Sequence, residues 1–321
     1  MLQIRHTPVL VAAVVLFASA CGAEDPELGT ENQPTVVVTT NILGDVVTNL
    51  TGGTVKVVEI MPVGADPHDF RASARQADAM RSADALIVNG AGFEEGLLDV
   101  IEGAEIDGVA VFEAIGAVTP IALGDDGHDD HDAYENHNGH EQEGIDPHFF
   151  TDPARMAVAV HAIADFLIDE IDEIDAVAVK SAAEAYQAEL EALDEEIANL
   201  IALIPQARRV LVTNHEVFGY FAERYGFDVV GAIIPGGSTT DGASAGALAA
   251  LAETIRGAGV TVIFADVSSP TDLAQTLATE VGDIEVVTLY SESLGEANSD
   301  GATYLDMIRA NAERIAAALA S

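Results

Sequence analysis

The chain has 321 residues, enough for one large domain or two of ordinary size, and 49% of them are hydrophobic, so a substantial core forms without any Trp. Thirteen Lys and Arg stand against 54 Asp and Glu, a formal charge of −41. Nucleic acid and anionic lipid surfaces need basic patches, and both are excluded as partners on that ground. The acids are spread along the whole chain, so the excess reads first as solvation in a saline habitat and second as a field that gathers cations.

Residues 1–6 form a short, weakly basic head with Arg5, and residues 9–17 an apolar run of signal-peptide length, too short to span a membrane. Ala18, Ser19 and Ala20 then lead to Cys21, the single cysteine, so no internal disulfide forms. This resembles a bacterial lipoprotein signal over 1–21, with cleavage before Cys21 and lipid on its thiol. Ala18 stands where Leu is usual, and ordinary secretion with cleavage nearby is the alternative. Residues 22–33, rich in Glu, Gly and Pro, read as a flexible tether.

Beyond the tether, short β-branched runs alternate with helical patterns. Strands are predicted over 35–39, 55–61, 85–88 and 109–112, with helices over 43–50 and 72–81. The rhythm restarts with strands over 209–213, 228–231, 260–265 and 285–289, and helices over 217–224, 247–256, 273–280 and 304–319. Two Rossmann-like α/β lobes with parallel sheets are the economical reading, over 34–174 and 205–321. Between them, 175–204 contains no Gly or Pro, and Tyr186, Leu190, Leu193, Ile197, Leu200 and Ile204 recur at spacings of four and three. That predicts one linking helix of roughly 30 residues, about 45 Å long, stopped by Pro205. The stripe is short for a coiled-coil seam, so a rigid helix packed along both lobes, in a monomer, is the better fit.

Residues 125–143 are compositionally foreign. They hold His128, His131, His137 and His140 among eight acids, four of the nine histidines in nineteen residues. Such a segment buries no core and reads as a loop; its imidazoles and carboxylates suit auxiliary Zn²⁺ capture, against the plainer reading of a solvated linker. Apart from His6 in the signal, four histidines remain. His161 falls mid-helix, where a lone histidine is usually structural. The other three are placed in loops at the ends of strands, where open α/β folds build ligand sites: His68 in Asp66-Pro67-His68, His148 in Asp146-Pro147-His148, and His215 in Thr213-Asn214-His215. In the repeated Asp-Pro-His context, Pro fixes the backbone and the preceding Asp is placed to orient the imidazole.

These segments, with Asn89-Gly90-Ala91-Gly92-Phe93-Glu94, the run from Phe149 to Pro153, Phe218-Gly219-Tyr220-Phe221, Ser291-Glu292-Ser293-Leu294-Gly295 and the closing helix at Tyr304, make the chain similar to the zinc/manganese solute-binding proteins of bacterial ABC importers. The resemblance covers nearly everything after the tether. It implies two α/β lobes bridged by one long helix, with the metal between them. By position, it implies His68 and His148 as ligands from the first lobe and His215 from the second. The family's fourth ligand is commonly an Asp; the matching residue here is Glu292, one methylene longer, with Asp266 or water as the substitute. Phe150 stands where Trp is frequent. Manganese-type members tend to carry a carboxylate in place of His215, and three imidazoles with one carboxylate suit four-coordinate Zn²⁺ better than Mn²⁺.

The function so implied is capture of Zn²⁺ outside the cell and delivery to an ABC permease, from a protein lipid-anchored on the outer face of the cytoplasmic membrane or free in the periplasm. A manganese carrier or a metal-dependent surface adhesin of the same fold is the alternative. A zinc hydrolase is weaker: Gly219 stands where the second histidine of a zincin helix would follow His215-Glu216, and apart from Glu216 no general base accompanies the ligands. Pro235-Gly236-Gly237-Ser238 lacks the lysine of a phosphate loop and reads as a turn.

Overall fold

The computed structural model describes residues 33–124, 144–240, 242–269, 271–282 and 284–320. His6, Cys21 and the stretch holding His128, His131, His137 and His140 lie outside them. In the first lobe, β1 (Thr35–Val38) leads to α1 (Asn41–Thr51), β2 (Lys56–Glu59), α2 (Ala74–Arg81), β3 (Ala85–Val88), α3 (Leu98–Ile106) and β4 (Ala110–Glu113). The four strands form one parallel sheet in the order β2-β1-β3-β4. The central strands read TVVV and ALIV and are almost wholly buried, as a sheet covered on both faces requires. The edge strands carry their charges, Lys56, Glu59 and Glu113, at exposed ends.

Then α4 (Pro153–Glu170) and α5 (Ala176–Ile201) run to the second lobe, which holds β5 (Val210–Thr213), α6 (Gly219–Tyr225), β6 (Asp228–Ala232), α7 (Ala245–Ala258), β7 (Val262–Asp266), α8 (Asp272–Val281), β8 (Glu285–Leu289) and α9 (Tyr304–Leu319). Its strands pair in parallel as β5-β6 and β7-β8, with β5 beside β7. Helices α7 and α8 cover one face around Leu251, Ile255, Ile263 and Leu277.

The linking helix is 26 residues, about 39 Å, and begins where Asp175 accepts hydrogen bonds from the N–H groups of Val177 and Ala178. It ends at Ile201 rather than 204, because the last turn tightens before Pro205, the N–H groups of Leu203 and Ile204 bonding the carbonyls of Leu200 and Ile201. Its buried stripe, Tyr186, Leu190, Leu193, Ile197 and Ile201, packs on α1 and α4 and, from the second lobe, on α9. The stripe is therefore covered within the chain. One cluster runs from Val38 and Ile42 through Leu190 to Phe264, Leu289 and Ile315, so the lobes share a core. Two helices, α3 and α4, have no counterpart among the predicted segments, apart from the helical setting assigned to His161. That residue meets the Gln187 side chain on α5 and takes no part in the site below. No helix among the described residues is long and apolar enough to cross a membrane.

Candidate metal centre

Three turns and one strand exit converge where the lobes meet. Between β2 and α2, the Asp66 carboxylate accepts from the backbone N–H of His68 at 3.0 Å, a local turn that Pro67 stiffens. The same device recurs at Asp146, which accepts from the N–H of His148 at 2.9 Å. His148 does not follow a strand, however. It precedes a short 3-10 turn and α4, whose first turn is capped by Asp152. The nearest pairing is the isolated antiparallel bridge between Ala122 and Ile145, which closes the ends of the His-rich stretch beside Asp146. His215 lies two residues past β5, its carbonyl accepting from the Thr213 hydroxyl at 2.7 Å.

Glu292 follows β8, in the second lobe, yet its segment is tied to the first. Asn41 donates to Ser293 Oγ at 3.0 Å and accepts from the N–H of Leu294 at 2.8 Å. The N–H of Gly64 also reaches Ser293 Oγ, at 2.8 Å. Asn41 and Ser293 thus place Glu292; Ser293 belongs to a segment the sequence picks out, whereas nothing local singles out Asn41.

The result is a closed cluster. Glu292 Oε1 lies 2.8 Å from His68 Nε2, 3.1 Å from His215 Nε2 and 3.4 Å from His148 Nε2. All four donor atoms fall within 4.8 Å of one another, and no residue is more than 3% exposed. Phe93 packs edge-on against His68 and His148, with centroids at 5.4 and 5.6 Å, and Phe150 against Phe93 at 5.5 Å. These rings hold the imidazoles and exclude water. Asp266 is also buried, but its two oxygens accept from the N–H and hydroxyl of Ser268, and it stands outside the cluster.

Charge inside the cluster is set by mutual proximity. Burial alone would raise the Glu292 carboxyl; the charge of His215 and the hydrogen bonds of the three rings instead hold it well below its usual range. Burial lowers His68, but the hydrogen bond and charge of Glu292 outweigh it and raise the ring above its ordinary value. His148 is raised in the same way, with Asp146 the larger influence. For Asp266, burial and the charge of Glu292 both push upward. Among the described residues, Glu292 Oε2 and His148 Nε2 are buried without a hydrogen-bond partner. Orphaned atoms of this kind in a dry pocket call for a ligand to complete them. A tetrahedral cation with bonds of about 2.0–2.1 Å places its donors about 3.3 Å apart, close to the spacing around Glu292 Oε1. Three imidazole nitrogens and a carboxylate fit one divalent ion.

The expectation that the Asp of each Asp-Pro-His orients its imidazole holds at one site and fails at the other. Asp146 Oδ1 meets His148 Nδ1 at 2.7 Å. Asp66 holds only the backbone of His68, and the carboxylate near that ring's Nδ1 is Glu95, at 3.2 Å. Two further residues escape a sequence reading. Tyr220 donates to the Asp146 carbonyl at 2.7 Å. Glu94, fully buried, accepts from the Thr39 hydroxyl and the Asn89 N–H, both at 2.6 Å, and so joins the ends of β1 and β3 beneath Phe93. The only hint of either was membership of a recognisable motif.

The chain has relatives whose names describe metal binding. The family described as ZnuA, zinc-uptake complex component A, periplasmic, matches residues 36–318. The chain is 30% identical over 312 residues to the zinc-binding protein TroA of Treponema pallidum, covering 95% of this chain and 94% of that one. It is 28% identical over 312 residues to the manganese-binding lipoprotein MntA of Halalkalibacterium halodurans, covering 97% of each. The structure of the periplasmic zinc binding protein TroA from Treponema pallidum superposes with a TM-score of 0.78 at 28% identity, over 90% of this chain and 100% of that chain. The chain therefore belongs to the ZnuA family, the periplasmic metal-binding proteins of ABC importers.

Proposed function

We propose that this solute-binding protein carries Zn²⁺, held by His68, His148, His215 and Glu292, and delivers it to the permease of its importer. The observation that carries the reading is the convergence of three imidazole Nε2 atoms on one buried carboxylate oxygen. Zinc is favoured because three nitrogens and one carboxylate in a closed pocket suit a four-coordinate, borderline-soft ion, whereas Mn²⁺ seeks more oxygen. The manganese reading has its own support in the name of the MntA relative. Anchoring through Cys21, a monomeric state and auxiliary capture by His128, His131, His137 and His140 belong to the same proposal and rest on sequence. No chemical step is assigned to the site. Because α5 and the shared core bind the lobes together, release proceeds through local movement of the ligand loops rather than a wide hinge rotation.

The test is metal titration of the protein lacking residues 1–21. One Zn²⁺ per chain is expected to bind with a Kd of about a nanomolar or tighter, beyond any weaker sites in 125–143, and to resist displacement by Mn²⁺. Preferential retention of Mn²⁺ would transfer the protein to the other subtype.

The same titration has a defined pH dependence. Because His68 and His148 are raised above 6.5, their ring protons stabilise the metal-free fold fully below that value, and the contribution fades as pH rises through the raised values. Zinc requires those rings unprotonated. Affinity should therefore climb with pH until the raised values of the two rings are passed, and the zinc-induced rise in Tm should be larger at the alkaline end. A flat profile would remove the histidines from the ligand set.

A further inference from the structure

We propose that Glu95 is a positioning residue for His68, and that Thr239 and Thr240 link that position to the second lobe, which makes His68 the ligand that yields first on release. The inference rests on the metal site proposed above. An imidazole that binds a cation through Nε2 carries its proton on Nδ1, and that N–H needs an acceptor to fix the ring. For His148 the acceptor is Asp146, at 2.7 Å with a side chain only 4% exposed. For His68 the Asp of the motif is already engaged: Asp66 Oδ1 accepts from the His68 backbone N–H, and Oδ2 accepts from the Thr239 hydroxyl at 2.6 Å. Glu95 Oε1 is the carboxylate within reach of Nδ1, at 3.2 Å. In this structure the pair is close but not aligned as a hydrogen bond, and Nδ1 is buried without one. A modest turn of the ring or of the Glu95 side chain aligns it, and the contact becomes charge-assisted when the ring bears the cation.

Glu95 differs from Asp146 in where it stands. Its side chain is 37% exposed, so the support of His68 reaches the surface. Its second oxygen accepts from the Thr240 hydroxyl at 3.4 Å. Thr240 and Thr239 belong to the turn that leaves β6, and the Ser238 hydroxyl braces that turn against Thr240 at 2.8 Å. The near end of the same turn is fixed beside another ligand: the Gly236 carbonyl accepts from the N–H of Glu216, next to His215, at 3.1 Å. One short segment of the second lobe therefore runs from the backbone at His215 to the two acids that border His68. Local movement of this segment pulls on Asp66 and Glu95 together, while Asp146 and His148 stay buried.

The experiment measures the Zn²⁺ Kd by competition with a chromophoric chelator, and the dissociation rate by stopped-flow, for the protein lacking residues 1–21 and its variants. Glu95→Gln keeps the size of the side chain and removes its charge; a loss of roughly 10–100-fold in affinity is expected, as for other outer partners of a ligating histidine. Glu95→Asp should recover part of the loss, and the Tm of the metal-free protein should be unchanged. The double variant Thr239→Val with Thr240→Val should release Zn²⁺ faster than wild type, with a smaller change in Kd than Glu95→Gln. Wild-type affinity and dissociation rate in Glu95→Gln would overturn the proposal while leaving the metal site standing. So would a loss that Glu95→Asp does not relieve and that follows a fall in Tm. If wild type and His215→Ala alike bind no Zn²⁺, the site reading itself falls and this inference falls with it.

Discussion

Replacing His215 with alanine is expected to abolish tight zinc binding while leaving the protein folded. Four-ligand zinc sites are worth about 10–16 kcal/mol, so an average ligand contributes about 3–4 kcal/mol, or roughly 100–1,000-fold in Kd. His215 is the sole histidine the second lobe brings to the cluster, so its loss leaves one lobe without a nitrogen donor. The fold should survive. The ring sits in a pocket where His68 and His148 still surround Glu292, and the backbone of the turn keeps its bonds from Thr213 and Val217. Competition titration and metal-free Tm, measured side by side, separate the two effects. A Kd within threefold of wild type would show that the cluster is not the metal site.

Glu292→Ala should be the more costly substitution, and its cost should depend on pH. The carboxylate is the one anion in contact with all three imidazoles, so a divalent ion in the variant would lie in a dry pocket with little charge compensation. Zinc binding should fall at least as far as in His215→Ala. The metal-free protein should suffer too, and unevenly. Glu292 helps hold His68 and His148 above their ordinary value. Below about pH 6.5 wild type contains charged rings around a charged carboxylate, and removing one member of such a buried set costs about 3–5 kcal/mol. As pH rises through the raised values of the two rings they lose their protons and that contribution fades, so the penalty should shrink. Urea unfolding at pH 5.5 and 8 measures the difference. Equal penalties at both pH values would mean that Glu292 does not govern the protonation of its neighbours.

Much of the architecture was readable because it is written in short-range patterns. The linking helix declares itself through Tyr186, Leu190, Leu193 and Ile197. The strand at 85–88 is a bare apolar run, and the strand at 285–289 and the helix at 304–319 match their predicted bounds. Helix α3 was invisible for the complementary reason. Its sequence, LDVIEGAEI, carries little amphipathic contrast and a central glycine, and a single buried residue, Ala104, anchors it. Helix α4 had a clear start signal in Asp152-Pro153, but its apolar residues are mostly Ala and Val on more than one face, which blurs the period.

The candidate site divides along the same line. By itself the sequence determined two of the histidine turns, at His68 and His148, because Asp-Pro-His is a local device: a carboxylate bonded to the N–H two residues on, stiffened by proline. The resemblance to the family pointed to Glu292 for the carboxylate, with Asp266 or water as the substitute. Only the tertiary structure placed Glu292 among the histidines, through Asn41 and Gly64, each more than two hundred positions from the Ser293 they hold. The expected contact of Asp146 with its imidazole holds, but only the tertiary structure put Glu95, not Asp66, near the other. The physical reason is the reach of each interaction. A turn is closed by atoms a few bonds apart, so its residues announce it. Which side chain meets a buried ring depends on how sheets, helices and the shared core stack, and no spacing within one segment records that.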